Sequence, residues 1–217
     1  MNWPPKVKFC GMTRREDIQQ ALALGVDYIG VILVPNTQRT VSLEAGRALR
    51  EQIGDTRAMV CVVRDATAEY VQAVINQVQP DFIQFHGAES EAFCLQFGHP
   101  YFKVVSVQAQ ANVGTDPLSI GYQSAHSIIF DSHSTQGGGM GLRFDWQLLG
   151  SVKPVAPQQF GLAGGLDPNN IVSTKPRVLA GQIQLLDVSS GIESSSTHAR
   201  GIKSLPKMRQ FMSQLAG

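Results

Sequence analysis

Eight short apolar runs, set at near-regular intervals, limit what this chain can become. They are KVKFC (6–10), DYIGVIL (27–33), RAMVCVV (57–63), DFIQF (81–85), YFKVVSV (101–107), HSIIF (126–130), QFGLAG (159–164) and QIQLLDV (182–188). Runs of this length without strict polar alternation are the pattern of parallel strands buried on both faces. The intervening segments read as helices. In REDIQQALALG, Ile18, Leu22 and Gly25 fall on one face, with Gly25 as the terminating residue. SLEAGRALREQIG has Ser42 as N-cap and Gly54 beyond its last turn, and ATAEYVQAVINQVQP is stopped by Pro80. Eight strand-helix units in 217 residues allow roughly 27 residues each, near the minimum for a (β/α)8 barrel. The rival, an open doubly wound sheet, usually has five or six strands and a glycine-rich turn after the first. Here the first turn is CGMT, without a dinucleotide fingerprint. The expectation is an α/β fold, a single (β/α)8 TIM barrel with a closed parallel sheet, spanning 1–217 as one domain.

Charge and cysteine usage narrow the setting. Lys plus Arg number 18 against 17 Asp plus Glu, with no long run of either sign, which gives no polyanion-binding surface. Cys10, Cys61 and Cys94 are odd in number, far apart and each set in an apolar stretch, unlike a disulfide framework or a zinc site. The five histidines (His86, His99, His126, His133, His198) are scattered, so no metal cluster is expected. MNWPPK opens straight into a strand with no basic n-region or apolar h-region. No apolar stretch approaches the roughly 18 residues of a membrane span. The expected setting is cytoplasmic, with no nucleic-acid or membrane partner.

In a barrel, residues at the C-terminal strand ends face the active-site mouth. That rule selects Cys10 after the first run, Arg39 beyond the second, His86 after the fourth, Asp131 after the sixth, Gly164 and Gly165 after the seventh, and 187–191 around the end of the eighth. Strands seven and eight of such barrels often build a phosphate site from loop N–H groups. AGGLDPNN and DVSSG suit it: Gly164 and Gly165 allow close approach, Pro168 starts a short helix, and Ser190 and Gly191 donate from the last loop. Taken singly, each residue also has a structural reading, Cys10 as a small core hydrophobe and Asp131 as a turn former.

The segments KFCGMT, GVDYIGVIL, IQFHG, DSHSTQGGGMGLRFDW, LAGGLDPNNI and LDVSSGIE resemble, in order and spacing, the phosphoribosylanthranilate isomerase family of tryptophan biosynthesis. The resemblance implies a cofactor-free Amadori rearrangement of an N-ribosyl anthranilate phosphate to its 1-deoxyribulose form, by a protein that is monomeric or homodimeric. Such chemistry needs an acid near the ring oxygen and a base for the C2 proton. The resemblance assigns Asp131 as acid and Cys10 as base, pairs Arg39 with the anthranilate carboxylate, and places His86 and Asp187 in the pocket. A thiol base is favoured by nearby positive charge or N–H groups, and a carboxylic acid donor by burial, so opposite tuning of Cys10 and Asp131 is expected. GGGMG is expected to form a mobile sixth loop that could cover bound substrate, with Phe144 and Trp146 anchoring the next helix and Asp145 as its N-terminal partner.

The chain also departs from the family pattern. Thr37-Gln38-Arg39 replaces Ser-Pro-Arg, Met140 stands where Thr or Ser is usual, Arg64 ends the third run in place of Asn, and Ala199-Arg200 follow where Lys-Asp is usual. A paralogous sugar-phosphate isomerase or a catalytically silent phosphate-binding barrel therefore stays open. So does a Schiff-base aldolase using Lys8, which shares a strand face with Cys10, or Lys103.

Overall fold

A computed structural model describes residues 4–106, 121–131, 159–195 and 201–216. The eight apolar runs form β1 (Lys6–Phe9), β2 (Tyr28–Ile32), β3 (Ala58–Val63), β4 (Phe82–Phe85), β5 (Tyr101–Ser106), β6 (Ser127–Asp131), β7 (Gln159–Leu162) and β8 (Leu185–Val188). They pair in chain order, all parallel, and β1 returns to β8 with Lys6 opposite Leu185, so the sheet closes into a barrel. The architecture is that of a (β/α)8 TIM barrel. Among the described residues the helices are α1 (Arg15–Ala23), α2 (Leu43–Ile53), α3 (Ala68–Val78), α4 (Glu91–Leu95), α5 (Lys175–Leu179) and α6 (Leu205–Ala216). No described helix is long and apolar enough to cross a membrane.

Helix ends follow the side chains that cap them. Ser42 accepts from Ala45 N, Thr67 from Tyr70 N and Ser90 from Phe93 N, each satisfying an orphan N–H of a first turn. Gly25 and Gly54 sit at φ +77° and +55°, turning the chain out of α1 and α2. Gln79 takes the left-handed position before Pro80 at the end of α3.

Alternation along the strands divides the core in two. One side chain in each pair (Phe9, Val31, Cys61, Phe85, Phe130, Leu162, Val188) packs outward among the helices. The other (Tyr28, Val60, Phe102, Val104, Ile129, Leu185) fills the barrel. Each fully buried aliphatic or aromatic side chain contributes about 1.5–3 kcal/mol. At the N-terminal end of the barrel Tyr28, Phe82, Phe102 and His126 form an aromatic floor, with Phe82 and Phe102 centroids 4.8 Å apart and His126 stacked on Phe102 at 5.6 Å. Just before three strands, a polar side chain holds the N–H of a neighbouring strand: Asp27 accepts from Val7 N, Asp81 from Met59 N and Gln184 from Phe160 N.

Most strands differ from the sequence expectation by one to three residues at an edge, and two departures have a visible cause. Residues 182–184 lead into β8 rather than belonging to it, because Gly181 turns at φ +74° and the Gln184 amide bridges Gly181 O and Phe160 N. Pro168 opens a turn rather than a helix. The Asp167 carboxylate accepts from Asn169 N and Asn170 N there, delaying the 3-10 segment to Ile171–Thr174. Val107, the glycine-rich stretch with Met140, the residues Phe144, Asp145 and Trp146, and Ala199, Arg200, His133 and His198 lie outside the described residues.

Candidate active site

The strand alternation that points Lys8 inward also points Cys10 inward, and its N–H extends the ladder to Val188 O at 2.8 Å. On β6, Ile129 and Asp131 share the inward face, and Asp131 ends the strand almost fully buried. The two groups stand at the same end of the barrel, three strands apart around the ring. Room for the thiol is made by Gly30 on β2, where a Cβ would lie 2.9 Å from Cys10 Sγ and 3.0 Å from Lys8 Cε. The glycine directly after Cys10 serves a second passage. Gly11 has φ +70°, and a Cβ there would lie 2.6 Å from Arg39 Cδ and 3.0 Å from Ser189 Oγ. The Arg39 side chain crosses the end of β1 over this bare backbone.

Ion pairs fix the charges around the thiol. Lys8, fully buried, donates to Asp187 Oδ2 at 2.8 Å, its register partner on β8. Burial works against the Lys8 charge, but Asp187 and then Cys10 hold it protonated, above the ordinary lysine value. Arg39 is gripped by Glu193 through two bonds, Nε to Oε1 at 2.6 Å and Nη2 to Oε2 at 2.9 Å. Lys203 joins the same carboxylate at 3.0 Å and donates to Ser189 O at 3.1 Å. Two cations thus share one carboxylate, and the cluster keeps a net positive charge for an incoming anion. Burial opposes ionisation of Glu193, yet the Arg39 hydrogen bonds and the Lys203 charge overrule it and lower its pKa to about 2.

That shift has a sign in stability. A carboxyl lowered in the folded state stabilises fully above its ordinary value and loses the contribution as pH falls toward about 2. Glu193→Gln is therefore expected to reduce unfolding free energy most near about pH 6, and the gap to the unmodified protein to shrink as pH drops below about 4. Urea melts of both proteins across that range check it.

His86 follows β4, its Nε2 3.4 Å from Asp131 Oδ2. The pair is not aligned for a hydrogen bond, and Nε2 stays without a partner. Gln84 Oε1, on the same inward face, and Asp187 Oδ1 are likewise buried and unpartnered. Among the described residues these three atoms make no hydrogen bond, which is unusual for buried polar groups. Outside the barrel, buried Lys103 pins the turn after His86: it donates to Gly87 O at 2.6 Å and Glu89 Oε2 at 3.0 Å, and Glu89 accepts from Asp65 N and Gly87 N. Gly87 is required there, since a Cβ would collide with the Asp65 carboxylate.

The glycine loops of β7 and β8 meet. Gly164 and Gly165 take φ +82° and +67°, and Asn170 Nδ2 donates to Gly165 O at 2.7 Å. A Cβ on Gly191 would collide with the Leu166 carbonyl oxygen, so backbone lies directly on backbone. Ser190 opens the 3-10 segment Ser190–Ile192 beside it.

Against known proteins, residues 7–214 match the family described as N-(5'phosphoribosyl)anthranilate (PRA) isomerase. The chain belongs to the PRA isomerase family. The N-(5'-phosphoribosyl)anthranilate isomerase of Stenotrophomonas maltophilia strain K279a is 38% identical over 211 residues, covering 97% of this chain and 92% of that one. The crystal structure of the Thermus thermophilus isomerase superposes with a TM-score of 0.76 at 28% identity, covering 97% and 98% of the two chains. A PRA isomerase structure in complex with reduced 1-(o-carboxyphenylamino)-1-deoxyribulose 5-phosphate shares the fold, with a TM-score of 0.74 at 23% identity over 99% and 100%.

Within this PRA isomerase barrel, sequence reasoning missed Gly11, Glu193 and Lys203. It treated Lys8 only as a Schiff-base candidate. The proline absent before Arg39 is offset by hydroxyls: Arg39 N donates to Thr37 Oγ1, and Thr40 Oγ1 donates to Val34 O at 2.6 Å. Arg64 turns toward Asp65, with Nε 3.7 Å from Oδ2. The expectation of a thiol tuned downward is corrected. Burial pushes the Cys10 pKa up, and Lys8 offsets only part of that rise.

Proposed function

We propose that this protein isomerises N-(5'-phosphoribosyl)anthranilate to 1-(o-carboxyphenylamino)-1-deoxyribulose 5-phosphate in tryptophan biosynthesis, with Asp131 as general acid and Cys10 as general base. The observation that carries the assignment is that a buried carboxyl and a buried thiol project into one barrel mouth from β6 and β1. In this reading Asp131 donates a proton to the ribose ring oxygen as the C1–O bond breaks and the anthranilate nitrogen forms a C=N bond to C1. Cys10 then removes the C2 proton, and the electron pair of that C–H bond forms the enamine. Tautomerisation, with a proton reaching C1 and the 2-hydroxyl proton leaving, gives the ketose. Atoms balance, and the thiol returns its proton to the carboxylate through solvent.

The outer donors of Arg39, beyond those held by Glu193, take the anthranilate carboxylate. Unpartnered Asp187 Oδ1 and His86 Nε2 take ribose hydroxyls, and Gly164, Gly165, Ser190 and Gly191 line the phosphate end. The Schiff-base aldolase reading is not favoured, because Asp187 keeps the Lys8 amine as an ammonium and Lys103 lies outside the barrel against Glu89.

Since the base must be deprotonated and burial raises its pKa, kcat/KM is expected to climb with pH past the ordinary thiol value of about 8.5. A pH profile on purified protein checks this; a profile flat from about pH 6 to 9 argues against a thiol base. The functional test is complementation of a tryptophan auxotroph lacking the isomerase. Failure to restore growth with well-expressed, folded protein would leave the silent-barrel reading in its place.

A further inference from the structure

We infer that Lys8 is a positioning residue that favours the thiolate of Cys10 over the thiol, as a fixed cation on the same strand face. The inference rests on reading Cys10 as the base and adds a residue to that chemistry.

A lysine inside a barrel is an expensive choice, since taking an ammonium out of water costs several kcal/mol even when it is paired. Neighbouring inward positions, Val60, Val104, Ile129 and Leu185, are filled by ordinary hydrophobes. Lys8 is instead fully buried, and Asp187 Oδ2 is the oxygen it hydrogen-bonds among the described residues. An ammonium carries three donors. One is directed to Asp187, and at the space that Gly30 leaves open Lys8 Cε and Cys10 Sγ flank the same missing Cβ, so the amine and the thiol interact. Two-residue strand spacing and a glycine opposite thus place cation and thiol side by side.

The charged groups that act on Cys10 are Lys8 from β1, Asp187 from β8, Lys203 ahead of α6 and Arg39 from the loop after β2. Arg39 and Lys203 already share Glu193. Asp187 opposes the thiolate, but it also keeps Lys8 charged. Lys8 supplies the largest influence against burial of the thiolate. The Lys8–Asp187 pair acts as an oriented dipole with its positive end at the sulfur.

The test is a titration of ligand-free protein, read as thiolate absorbance against Cys10→Ala and as the iodoacetamide alkylation rate at Cys10 by peptide mass. In Lys8→Met the thiol midpoint should rise by about one unit or more, and alkylation at about pH 8 should fall at least ~10-fold. The rising limb of kcat/KM should move upward in parallel, which a merely structural role would not produce. Because Lys8→Met strands Asp187, the double variant Lys8→Met/Asp187→Asn is measured beside it, with a smaller upward shift expected. Lys203→Met, whose ammonium is tied to Glu193 and Ser189, should move the midpoint less than Lys8→Met does. A wild-type midpoint in folded Lys8→Met or in the folded double variant overturns the inference, as does a larger shift in Lys203→Met. The thiol readout needs no turnover, so a shifted midpoint in a protein without isomerase activity would overturn the proposed reaction alone.

Discussion

Asp131→Asn is expected to lower kcat for phosphoribosylanthranilate by ~10²–10⁴-fold with a much smaller change in KM. The amide keeps the volume and the place at the end of β6 but has no proton to give to a departing ring oxygen. Asp131 is 6% exposed, with His86 Nε2 3.4 Å from its carboxylate, so the variant amide takes the same buried place. Cys10→Ala is expected to give a loss of the same order by removing the other proposed proton carrier, and it leaves Lys8 and Arg39 in place. Steady-state kinetics of the two variants, with growth of the auxotroph as a coarse check, read the result. Either variant turning over at half the parent rate would mean that another group performs that transfer.

Gly191→Ala is expected to raise KM by at least ~10-fold and to lower stability by about 2–4 kcal/mol. The added methyl has no space: it meets the carbonyl oxygen of Leu166, a backbone atom held in its loop by the Asp167 and Asn170 bonds on either side. Relief requires the β7 and β8 loops to part, and those loops carry the proposed phosphate contacts. The inhibition constant of inorganic phosphate and the thermal midpoint should worsen together. A stable variant with an unchanged phosphate constant would place the anion elsewhere.

The strands were legible because each is a short apolar run buried on both faces, and composition alone distinguishes such a run from an amphipathic helix. Cys10 and Asp131 could be picked out as mouth residues because strand-end position needs only the strand boundaries, and their proposed roles as base and acid came from the family resemblance. The support around them could not. Lys8 and Asp187 are 179 residues apart in sequence, and Arg39 and Glu193 are 154 apart, so nothing local announces that they touch. The turn CGMT gives no reason for Gly11, and its reason is the side chain of Arg39 crossing above it. The direction of the Cys10 shift was also beyond the sequence, since it depends on whether burial or Lys8 prevails. The missing proline before Arg39 was visible, but the Thr37 and Thr40 hydroxyls that replace its stiffness act through geometry that one-dimensional spacing does not contain.

The aromatic floor of Tyr28, Phe82, Phe102 and His126 has a kinetic meaning. Inward side chains fill the cylinder from that floor upward, so in the proposed reaction reactant and product are expected to share the rim rather than pass through. Added product is therefore expected to inhibit competitively against substrate.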